Sequence, residues 1–177
     1  MIREHTITIK QANMYGLVMF LPILVITALP FFLLNDVHFS GPSLSHTLSF
    51  ILLMAGGIVV HELLHGVVWA LGQRRGWKAV KFGFNKEWLT PYCHCDQPIS
   101  VLVYRLGAMT PLVVLGIIPL VVSYGNGSFS LWLYGFIFTM AAGGDMIAIW
   151  MVRHLRWNSK VMDHPDKMGF IQIESEK

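Results

Sequence analysis

Apolar residues run through this chain in long stretches, and charge is confined to the segments between them. From Gln11 to Val60 the only charged residue is Asp36, and from Leu106 to Val152 the only one is Asp145. A helix rising about 1.5 Å per residue needs about 20 apolar residues to cross a hydrocarbon core of about 30 Å. The pattern therefore predicts four transmembrane helices, at residues 14–34, 46–72, 100–123 and 129–152. Pro22 and Pro30 should kink the first and Pro111 and Pro119 the third, as neighbouring helices in a bilayer allow. The expected fold class is an all-α membrane protein, a single integral membrane domain over residues 1–177.

Between the second and third helices the pattern changes to period two. Val80, Phe82 and Phe84 alternate with Lys81, Gly83 and Asn85, then comes a turn-like Asn85-Lys86-Glu87 and the segment Trp88 to Tyr92. This predicts a short β-hairpin over 79–92 near the membrane surface. The tail from Asn158 is polar and carries no transmembrane signal.

Basic residues orient the bundle. Arg3 and Lys10 precede the first helix, Arg74, Arg75, Lys78, Lys81 and Lys86 follow the second, and Arg153, Arg156, Lys160 and Lys167 follow the fourth, whereas loops 35–45 and 124–128 contain no Lys or Arg. The positive-inside rule places both termini and the loop 73–99 in the cytoplasm. The amino-terminal segment has no short apolar core followed by a small-residue cleavage site, so the first apolar stretch is expected to stay as an anchor.

Composition adds two points. A hydrophobic fraction of 54% and a mean hydropathy of +0.56 separate the chain from soluble proteins. The net charge of +3 comes from clusters beside apolar segments, with no basic stripe broken by stacking aromatics, so nucleic acid is not an expected partner.

Against this background, the sequence Val-Val-His-Glu-Leu-Leu-His-Gly at 59–66 is out of place. On a helix His61 and His65 share a face, with Glu62 beside them, which is the HExxH arrangement. Two neutral imidazoles and one oxygen suit Zn²⁺, and Glu62 is placed to take a proton from water as general base. Burying a carboxylate in a bilayer costs free energy unless a partner or a function holds it. The fourth predicted helix offers one candidate third ligand, Asp145. Arg74 follows His65 by nine residues and Arg153 follows Asp145 by eight. At ~1.5 Å per residue, both groups lie roughly 12–14 Å inside the cytoplasmic boundary. Gly143, Gly144, Gly56 and Gly57 are candidates for close helix approach. The structural alternative for Asp145 is an ion pair with Arg105.

Cys93, His94 and Cys95 also carry ligand atoms, but neighbouring positions wrap one tetrahedral ion poorly, and contact with substrate is the stronger reading. The two cysteines are too few and too close for a disulfide framework. His5, His38, His46, His154 and His164 fall at or beyond helix ends and call for no special role.

The motif His-Glu-Leu-Leu-His in one transmembrane helix, a lone Asp two helices later and a strand-like loop between them resemble the core of the site-2 protease type of intramembrane zinc metalloprotease. More narrowly, residues 61–66, 141–145 and the segment Asp-His-Pro-Asp-Lys-Met-Gly-Phe at 163–170 resemble a bacterial membrane family of zincin peptidases. The resemblance implies Zn²⁺ held by His61, His65 and Asp145, Glu62 as general base, a membrane protein or peptide as substrate, and a place in the bacterial cell membrane. Site-2 proteases set their aspartate in an Asn- and Pro-rich stretch ending Asp-Gly, whereas here Gly143 and Gly144 precede Asp145 and Met146 follows. The polar setting of Asp163, His164 and Asp166 favours a structural or regulatory role for the tail.

The expected activity is hydrolysis of a peptide bond in or near a transmembrane segment, with Phe82 and Phe84 of the hairpin as candidate contacts to an extended substrate. Two other classes compete. One is an inactive relative that binds client membrane proteins; the other is a metal or proton carrier, which would need polar groups continuing to the far side of the bilayer. Leu48 to Val60 offers only Ser49 for that purpose.

Overall fold

The computed structural model describes residues 2–37, 41, 43–85, 90–164 and 167–173. Strand β1 (Ile2–Ile7) leads into α1 (Ile9–Leu34), and α2 spans Leu44–Leu71. A 3₁₀ turn at Gly76–Ala79 opens a hairpin of β2 (Val80–Asn85) and β3 (Thr90–Cys95). Next come β4 (Ile99–Ser100), α3 (Val101–Pro111), a π-helical segment (Leu112–Ile117) and α4 (Ile118–Asn126). The chain continues through α5 (Phe129–Ala141), α6 (Gly143–Met151), β5 (Lys160–Asp163) and β6 (Met168–Ile173).

Among the described residues, three helical stretches are long and apolar enough to cross a membrane: Ile9–Leu34, Leu44–Leu71 and Val101–Asn126. A fourth exists if α5 and α6, bent by 40° at their junction, are one span. The expectation of a continuous helix over 129–152 is therefore corrected: the helix breaks at Ala142, ahead of two glycines with low helix propensity. α1 starts earlier than residue 14 because Thr8 caps it, its hydroxyl accepting from the Gln11 N–H while the Gln11 side chain returns to the Thr8 N–H. In the third span the helix widens to a π segment directly after Pro111, which has no N–H to give to the preceding turn.

The all-α expectation holds in part: the chain is mostly helical, with small antiparallel sheets beside the helices. β1, β6, β5 and β4 form, in that order, a four-stranded antiparallel sheet. Both ends of the described chain meet in it, with Glu4 opposite Ile171 and Thr6 opposite Gly169. A sheet with one face in water alternates polar and apolar residues, so these strands contain no long apolar run. In β1, Glu4 and Thr6 are exposed while His5 and Ile7 turn inward, and His5 stacks on Phe170 at 4.8 Å. Gly169 is demanded by the backbone: its φ is +145°, and a Cβ there would stand 2.1 Å from the His5 carbonyl oxygen.

The predicted hairpin is present, with Phe82 opposite Cys93 and Val80 opposite Cys95. The turn expected at Asn85-Lys86-Glu87, together with Trp88, Leu89, His38 and Asp166, lies largely or wholly outside the described residues.

One apolar cluster seals hairpin and sheet onto the bundle. Val80, Cys95, Ile99, Val161 and Phe170 pack on Trp69, Tyr104 and Val152. A second cluster, Phe31, Leu120 and Trp132, ties α1 to α4 and α5. There the Thr27 carbonyl accepts from Trp132 Nε1 at 3.0 Å and from the Tyr124 hydroxyl at 3.2 Å. A buried donor left unmet would cost about 1–3 kcal/mol, so these bonds fix how α1 leans on the bundle.

Candidate metal centre

His61 and His65 come one turn apart on α2, their rings 4.9 Å apart and both nearly withdrawn from solvent. Asp145 reaches them from the first turn of α6. The helix break places its carboxylate near the positive amino-terminal end of that helix. His61 Nε2 stands 3.3 Å from one carboxylate oxygen, and His65 Nε2 stands 3.3 Å from the other. All the ligand atoms of the trio lie within 4.8 Å of one another. Two ligands on a tetrahedral ion with bonds of about 2.0–2.1 Å stand roughly 3.3–3.4 Å apart, so the two His–Asp spacings fit zinc.

Protonation supports the same fit. His65 Nδ1 lies 2.9 Å from the Gly107 carbonyl, which can only accept, so Nδ1 carries a hydrogen and Nε2 is the atom left to face an ion. With the ring neutral, the lone pair is on Nε2, aimed at a carboxylate oxygen, and either a metal ion or a proton between the two satisfies both. Asp145 Oδ2 is buried, and the polar atom facing it is His61 Nε2. Among the described residues, these three side chains form the group of His, Cys, Asp and Glu suited to an ion.

The Gly107 carbonyl is within reach because α2 and α3 pack closely: a Cβ on Gly107 would fall 2.1 Å from Trp69 Nε1. Trp69 in turn stacks on His65 at 5.3 Å and on Tyr104 at 6.2 Å. Neither Gly107 nor Trp69 was among the expected site residues. The signal for Trp69 was its spacing, four residues after His65 on the same helical face. No such signal marks Gly107.

Glu62 is half-buried on α2, and the backbone N–H of Cys93 faces its carboxylate. The Phe82 ring lies over the backbone of Gly66, where an added Cβ would come within 2.5 Å of it, so Phe82 stands one residue beyond His65. Phe84 is exposed, farther along the hairpin. Of the four glycines expected at a helix interface, Gly57 meets Tyr134 and Phe138. Gly56 faces open space, while Gly143 and Gly144 touch only the tips of Met19 and Met168. Arg105 is not the partner of Asp145. Its guanidinium donates to the Val152 carbonyl at 2.6 Å and covers the Trp157 ring.

The remaining candidates fall outside the trio. Cys93 and Cys95 are free thiols. Burial pushes the Cys93 thiol far above its usual range, with Glu62 and Asp163 adding to the rise, so it stays protonated at neutral pH. The tail is not simply solvated: the His164 ring is enclosed and faces Glu4 at 3.5 Å, and Asp163 points inward beside His94 and Cys95.

An HExxH helix with a carboxylate delivered from a distant helix defines a zincin-like protein, one built on long apolar helices. The chain belongs to the family described as "Putative zincin peptidase", whose model matches residues 54–159. That span contains His61, Glu62, His65, the hairpin and Asp145. No curated protein and no solved structure matches the chain.

Proposed function

We propose that this protein is a membrane-embedded zinc metallopeptidase that cleaves a peptide bond in or near a transmembrane segment, in the manner of site-2 proteases. The observation that carries the reading is the meeting of His61, His65 and Asp145 at ligand spacing, with the His65 tautomer fixed by Gly107. Zinc, when bound there, supplies a Lewis acid that polarises the scissile carbonyl and acidifies water.

The residues of the chain do the rest. Glu62 takes the proton from the attacking water on its carboxylate and returns it to the leaving amine. Its half-buried position beside the ligands keeps bulk water from competing for that proton. The long apolar helices suit a bilayer, and a substrate helix must unwind before its carbonyls are accessible. The hairpin suits an extended segment: among the described residues it is a two-stranded sheet, and Phe82 stands at its edge next to the ligand helix.

The test is elemental analysis of detergent-purified protein, wild type against His61→Ala, Asp145→Ala and Glu62→Gln. The reading expects about one zinc per chain, lost in the two ligand variants and kept in Glu62→Gln. A wild type that takes up no zinc after reconstitution would overturn it. A zinc-loaded Glu62→Gln protein that still cleaves would assign the site to something other than Glu62-dependent hydrolysis.

A further inference from the structure

Strand β3 has two outward-facing amides, and each meets a carboxylate. In this antiparallel hairpin the Asp96 N–H turns back to the Ala79 carbonyl, on the β2 side, while the Cys95 N–H turns away to Asp163 Oδ2 at 3.4 Å. Backbone polar groups alternate along a strand, so the Cys93 N–H also turns away from β2, and it faces Glu62. Pro91, which lacks an N–H, occupies the third outward position, where no ladder bond is lost. Asp163 thus holds one outward amide of this strand edge, and Glu62 faces the other.

Asp163 is itself held. Its side chain is mostly enclosed, it faces the Tyr104 hydroxyl, and the His94 ring lies 3.8 Å away. Tyr104 stacks on Trp69 and Trp69 on His65, so the anchor is referenced to the helix that carries the ligands. β5 then fixes Asp163 in the four-stranded sheet, where it pairs with Phe170.

We propose that Asp163 is a positioning residue: by holding the Cys95 amide it sets the Cys93 amide on Glu62 and so fixes the orientation of the Glu62 carboxylate beside the ligand trio. This rests on the metallopeptidase reading for the role of Glu62, but the contact it describes belongs to the fold alone. It gives the 163–170 motif a task, through a residue that touches none of the ligands.

The test combines hydrogen exchange with a ligand-binding cycle. In Asp163→Ala, amides of residues 90–96 should exchange about tenfold faster, as befits loss of a bond to a charged acceptor. Strands β1 and β6, helix α2 and zinc uptake should be unchanged. Asp163→Asn, which keeps an acceptor oxygen, should restore most of the protection. Acetohydroxamate, which needs both an ion and a carboxylate acceptor, should bind the zinc-loaded Asp163→Ala protein about tenfold more weakly. The same substitution should have no further effect in a Glu62→Gln background. Unchanged exchange in 90–96 would overturn the proposal, as would faster exchange shared equally with β1 and β6, or additive effects in the cycle. If the wild type takes up no zinc, the metallopeptidase reading fails by itself, and the exchange data still decide whether Asp163 holds β3.

Discussion

His65 donates from Nδ1 to the Gly107 carbonyl at 2.9 Å, and this one bond joins the ligand helix to a backbone position 42 residues away. Such a bond to a ligating imidazole fixes its tautomer and its direction.

Gly107→Ala should therefore damage the metal centre without touching a ligand. The added methyl runs into Trp69, forcing α2 and α3 apart and lengthening the bond to His65. Zinc affinity should fall by about 10–100-fold, the usual range for loss of such a partner. Competition against a fluorescent zinc chelator measures it, and an unchanged affinity would refute the assigned role.

Metal removal should lower stability. Zinc at a hundred times its dissociation constant stabilises the folded chain by about 2.7 kcal/mol. Chelation should lower the melting temperature of the wild type and leave that of His61→Ala nearly unmoved, as read by differential scanning fluorimetry in detergent.

Glu62→Gln should keep the fold and the metal while cleavage falls by about 10²–10⁴-fold, the range for a lost general base. The assay is cleavage of a tagged transmembrane substrate, once one is found, in proteoliposomes with equal zinc loading.

Gly169→Ala should destabilise the four-stranded sheet by about 1–3 kcal/mol, since the new Cβ would meet the His5 carbonyl at a backbone angle that favours glycine. Faster exchange confined to β1, β5 and β6 checks this.

Burial raises the Asp163 carboxyl above its ordinary range, against the opposing effects of His94, the Cys95 amide and Tyr104. A folded-state pKa above the unfolded value of about 3.9 means that the group's contribution is fully present below that value. The contribution is lost as pH rises through the folded pKa, because the folded chain must then hold the charge. Asp163→Asn cannot ionise. Thermal melts from pH 4 to 8 should show the wild type losing ground to Asp163→Asn as pH increases; a constant difference would contradict the shift.

Much of this architecture can be read from the order of residues. A helix fixes which side chains share a face, so His61, Glu62 and His65 are neighbours in any fold that keeps α2 helical, and long apolar runs mark where the long helical stretches lie. The alternation of Val80, Phe82 and Phe84 marks a strand by the same local logic. Asp145 was legible as a lone carboxylate at matching depth.

Only the tertiary structure decided what faces these elements. The choice of Gly107 as acceptor, the insertion of Trp69 between His65 and Tyr104, and the arrival of Asp163 at Cys95 depend on contacts between segments far apart in sequence. Strands β5 and β6 were hidden for a related reason: a half-exposed strand is recognised by what covers one of its faces, and here that cover comes from Trp69 of α2 and Tyr104 of α3. Local periodicity is written in neighbouring residues; close packing and hydrogen-bond partners are set by whichever surfaces the folded chain brings together.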